Sequence, residues 1–107
     1  MRTPVDPANE VRAGFSADAS AAHWRYNGPL TFANAGPVLG ATSSMALPTD
    51  GQVDLENLDG IDSSAVAVLL ALKRRAESEG KPLRFVHVPA ALAALAAVYG
   101  VESILAT

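Results

Sequence analysis

The 107-residue chain contains no cysteine. That excludes disulfides and thiolate metal sites, and it suits a reducing compartment. Aromatic residues are scarce: one Trp, two Tyr and three Phe. Charge is also sparse, at 18% of residues with a formal net charge of -3, and no long basic run occurs. A nucleic-acid-binding domain would carry a basic patch, so the composition argues against that partner. No apolar run approaches the roughly 20 residues of a spanning helix. The longest, 65–72 and 89–100, fall well short. The first twenty residues, MRTPVDPANEVRAGFSADAS, lack the continuous apolar core of a secretory signal. A cytoplasmic location without direct membrane insertion is expected.

Catalytic signatures are missing too. His23 and His87 are the only histidines. There is no HExxH, no GxGxxG, and the glycine pair Gly36 and Gly40 lacks the Lys-Ser/Thr of a phosphate loop. Asp54, Glu56, Asp59 and Asp62 lie close in sequence but without metal-ligand spacing, and they read as solvated loop charge. Lys73, Arg74 and Arg75 fall late in a helix, where positive charge suits the helix dipole. The chemistry favours a binding module over an enzyme, with no metal or cofactor expected.

What is present is a strand and helix alternation. Residues 1–20 lack periodicity and read as a flexible leader, with the domain spanning 21–107. HWRYNGPLTF reads as two short strands around Asn27-Gly28. ANAGPVLGATSSMAL is a weak helix that Asn34 can cap. A short strand covers Val53 to Leu55. A long helix follows, and Gly80 stops it. PLRFVHV alternates as a strand, with Leu83 and Phe85 inward. Pro89 opens the next helix, whose buried stripe is Leu92, Leu95, Ala96 and Tyr99, and VESIL is a last short strand. The order β-β-α-β-α-β-α-β predicts an α/β domain with parallel crossovers.

The long helix begins Asp62-Ser63-Ser64. Asp62 is suited to be its N-cap. At about 100° per residue, Ala65, Val68, Leu69, Leu72 and Ala76 share the core face. Ser63, Ala67, Leu70 and Arg74 lie nearly opposite, with Val66 at their flank. Either a neighbouring helix covers Leu70 and Val66 and the serines only cap, or this outer face docks on a partner. Ser63 sits at the positive end of the helix dipole, where a phosphate is favoured.

The segment VDLENLDGIDSSAVAVLLALKRRAESEGKPLRFVHVPAALAALAAVYGVESIL resembles a STAS domain, the fold of anti-sigma factor antagonists and of sulfate-transporter tails. The resemblance covers about residues 22–106. It implies a mixed sheet of four or five strands with helices mainly on one face. Within that family the chain is most similar to the MlaB subgroup, through IDSSAVAVLLALKRRAESEGKPL and the closing pattern of Leu92, Leu95, Ala96, Tyr99, Gly100 and Val101. That likeness implies a subunit of an Mla-type phospholipid ABC transporter. Such a subunit binds an MlaF-like ATPase and, through it, the permease at the inner membrane. The helix-start hydroxyl, here Ser63, lies at that contact. The partner-binding set it implies is Ser63, Ser64, Val66, Ala67, Leu70 and Arg74. In the antagonists the matching serine is phosphorylated by an anti-sigma kinase, which makes Ser63 the alternative phosphorylation site. Those antagonists carry Gly where this chain has Ala65.

Overall fold

The computed structural model describes residues 13–18 and 22–105. Four strands form one mixed sheet: β1 (Gly14–Ala17), β2 (His23–Leu30), β3 (Gln52–Ile61) and β4 (Arg84–Val86). Their spatial order is β1-β2-β3-β4. β1 runs antiparallel to β2, while β2–β3 and β3–β4 are parallel. The parallel pairs are bridged by α1 (Ala35–Thr42) and α2 (Ser63–Ser78); α3 (Ala90–Val98) and a 3-10 turn (Glu102–Ile104) close the chain.

One face of the sheet is apolar because alternate residues of its strands are apolar. Trp24, Tyr26 and Leu30 of β2, Val53 and Leu55 of β3, and Phe85 of β4 are buried there. They belong to the same core as Ala65, Val68, Leu69, Leu72 and Ala76 of α2, Val38 of α1 and Leu92 of α3. Phe15 of β1 meets Trp24 and Tyr26 with ring centroids 5.7 and 4.6 Å away. The intervening residues Ser16, Arg25 and Glu56 are exposed on the other face.

Several sequence expectations are corrected. Gly14–Ala17 is a strand of the sheet, although it falls within the expected leader; residues 1–12 and 19–20 of that leader lie outside the described residues. β2 is one eight-residue strand rather than two. It continues through Gly28 at φ +93, where a Cβ would stand 3.1 Å from the Ala13 backbone. The parallel register with β3 shifts between Gly28 and Leu30, around Pro29, which has no N–H to give to the ladder. β3 runs ten residues, far beyond Val53–Leu55. The expected last strand is the 3-10 turn. Tyr99 is 55% exposed and does not join the buried stripe of α3.

The ends of α2 follow their sequence signals. Gly80 takes φ +68, and the Lys81 N–H reaches back 2.9 Å to the Ala76 carbonyl, a glycine-dependent C-terminal cap. Arg75 donates to the Thr42 and Met45 carbonyls at 2.9 and 2.6 Å, tying the end of α1 to α2. The last-turn Arg75 therefore serves packing inside the molecule.

Candidate partner-docking site

Asp62 is the N-cap of α2, with one carboxylate oxygen accepting the Ser64 N–H at 2.8 Å. Its other oxygen accepts the Phe32 N–H at 2.9 Å. A single carboxylate thus ties the start of α2 to the loop between β2 and α1. That loop is braced by Asn34, whose side chain accepts from Thr31 N–H at 2.9 Å and donates to the Pro29 carbonyl at 2.9 Å. Asn34 holds the N-cap position of α1, but its side chain organises the turn and makes no cap bond to the helix.

The backbone N–H of Phe32 and then that of Ser64 hold the Asp62 carboxyl below its usual range, with the Ser64 side chain adding to the effect. Because the folded value is depressed, this stabilisation is fully present above the unfolded pKa of about 3.9. It disappears as pH falls through the lowered folded value. Asp62→Asn is therefore expected to melt at lower temperature than the parent at neutral pH, with the gap closing in strong acid. Melting curves followed by circular dichroism across that range check it. A gap that does not change with pH would mean the charge of Asp62 contributes nothing.

The two serines have separate roles. Ser64 is half-buried and its backbone N–H donates to Asp62, so it belongs to the cap. Ser63 is exposed. Ala67 and Arg74 are exposed and Leu70 is half-buried. These four follow one line along the outer face of α2, as the helical spacing predicts. Leu70 borders a shallow groove with Arg74, Ser103 and Ile104.

Val66 does not join them. It is 8% exposed and lies in a narrow apolar seam with Leu69, Leu92, Ala96, Val101 and Ile104. The seam between α2, α3 and the 3-10 turn admits no water-sized molecule. Val66 is thus a core residue, and the docking set loses it. The expected terminal strand hid this, since the 3-10 turn is one of the elements packed over Val66.

Sequence reasoning missed two apolar neighbours of the helix start. Phe32 is 86% exposed, although its backbone is held by Asp62. Its signal was an aromatic residue in a turn, just before the Asn34 cap. Ile61, immediately before Asp62, borders an open apolar surface with Ala91, Ala94, Leu95 and Val98 of α3. Val98 is 78% exposed. Both histidines are paired with carboxylates. His23 faces Asp18 and Asp50 at 3.4 and 3.7 Å, and His87 faces Asp54 at 3.1 Å.

The family model described as "Mlab, STAS domain" matches residues 13–106. The chain belongs to the MlaB-like STAS family. The match begins one residue before β1 and so includes that strand. STAS domains are generally non-catalytic. No curated protein matches the chain. Among the described residues no helix is long and apolar enough to cross a membrane.

Proposed function

We propose that this STAS domain is a non-catalytic subunit that binds and supports the ATPase of an Mla-type phospholipid ABC transporter, and so serves outer-membrane lipid asymmetry. It would sit in the cytoplasm, held at the inner membrane through the ATPase and permease. The observation that carries this reading is the exposed Ser63 at a rigidly capped helix start, with Ala67, Leu70 and Arg74 in line behind it and Phe32 beside it. An exposed aromatic and an aliphatic stripe at a fixed corner supply the kind of anchors that carry binding energy in protein interfaces.

A second reading, an anti-sigma factor antagonist switched by phosphorylation of Ser63, gains support from one detail. Ala65, which replaces the antagonists' glycine, is fully buried. Its methyl faces the core and does not obstruct a kinase approaching Ser63. The two readings separate in a tagged pull-down from native cells with the bound proteins identified by mass spectrometry. Recovery of an ABC ATPase with its permease is expected. Recovery of a GHKL-type kinase instead would replace the transporter reading with the phospho-switch.

A further inference from the structure

The open face of the sheet carries a group of side chains that the docking reading does not use. Asp54 and Glu56 are two apart on β3, so both project away from the core that holds Val53 and Leu55. His87 reaches them from the adjacent strand. In the parallel register Asp54 pairs with Val86, which places His87 one residue beyond β4. In an uninterrupted strand His87 would share the buried side of Phe85, two residues earlier. It adopts φ +56 instead, the one described non-glycine residue with a positive φ. That left-handed step brings its ring over the polar face, with Nδ1 3.1 Å from Asp54 Oδ1.

One donor atom from each of Asp54, Glu56 and His87 lies within 4.8 Å of the other two. We propose that these three residues form a binding site for a divalent transition-metal ion of the zinc class. One imidazole and two carboxylates match the donor types of zinc sites with open positions, with bonds of about 2.0–2.2 Å. Donors around a tetrahedral ion of that bond length stand about 3.3–3.6 Å apart; His87 Nδ1 and Asp54 Oδ1 are already 3.1 Å apart, so closure needs the Glu56 carboxylate to move in by up to about 1.5 Å. Glu56 is exposed and free to supply it. Asp54 is the fixed member: its side chain is 13% exposed, and Oδ1 accepts the Glu56 N–H at 2.8 Å. The ion would take the place of the His87–Asp54 hydrogen bond. Arg25, 4.0 Å from Asp54 Oδ2, opposes a cation but engages the oxygen that the site does not need. Because the donors come from β3 and from the end of β4, an ion would fasten the short edge strand to the centre of the sheet. The site is independent of the docking reading.

The absence of cysteine and the presence of only two histidines make the test clean. Zn2+ is titrated calorimetrically into the full chain, and the two imidazoles are followed by NMR. Expected are one saturable site per chain, a selective shift of the His87 ring, and a higher melting temperature with Zn2+. His87→Ala and Glu56→Gln, both at exposed positions, should each lower affinity by about tenfold or more, while His23→Ala leaves it unchanged. Absence of saturable binding, or binding lost with His23 and retained without His87, overturns the proposal.

Discussion

Trp24→Ala is expected to destabilise the domain by about 3–5 kcal/mol, the range for removing a buried large aromatic side chain. Trp24 is 1% exposed, packs on Phe15, and donates its indole N–H to the Ala46 carbonyl at 3.1 Å. It therefore joins β1, β2 and the segment after α1 in one contact. A domain of this size has about 5–15 kcal/mol in total, so the variant would stand near the edge of folding. In urea the midpoint should drop by roughly 1–5 M, measured by far-ultraviolet circular dichroism because the variant lacks the tryptophan signal. Trp24→Phe, which keeps most of the apolar volume and loses the hydrogen bond, should cost much less. Equal losses from both would show that the Ala46 bond, and not packing, makes Trp24 important.

The second large effect concerns binding and leaves folding alone. Under the transporter reading, Phe32→Ala and Ser63→Arg should each weaken the complex with the ATPase by about 30-fold or more, as expected for an interface anchor. Neither side chain is buried, so stability should change by no more than about 0.5 kcal/mol. Phe32→Ala keeps the backbone N–H that Asp62 accepts, which separates loss of the ring from loss of the cap. Affinity by surface plasmon resonance, beside thermal melts of the same samples, reads both quantities. Full binding by both variants would move the docking surface away from this corner.

The parts of the fold that were legible are those with local causes. The capped start of α2, its glycine stop, Pro89 at the head of α3 and the inward Leu83 and Phe85 each follow from a residue acting on its own neighbourhood. β1 was not legible, because in GFSA only Phe15 is a large apolar residue, and its strand character comes from pairing with β2. The full length of β3 was hidden by Asp54, Glu56 and Asp59, which read as loop charge but lie within a strand that runs beside β2. At the candidate site, Ser63, Ala67, Leu70 and Arg74 could be placed by helical spacing alone. Phe32 could not, since a contact 30 residues away in sequence puts it beside Asp62. The grouping of Asp54, Glu56 and His87 likewise depends on strand register and on one left-handed residue, neither of which has a local sequence signature.

The helices cover a single side of the sheet, and this sets an order of opening as well as a shape. Water has access to the ladder from the open side along its whole width, so neighbouring strands supply the remaining shield. β2 over residues 24–27 and β3 over residues 52–54 have a strand on both flanks, whereas β1 and the three-residue β4 have one. Amide hydrogens in those two stretches should consequently exchange with solvent last, through global unfolding, while those of β1 and β4 exchange through local separation of the edges.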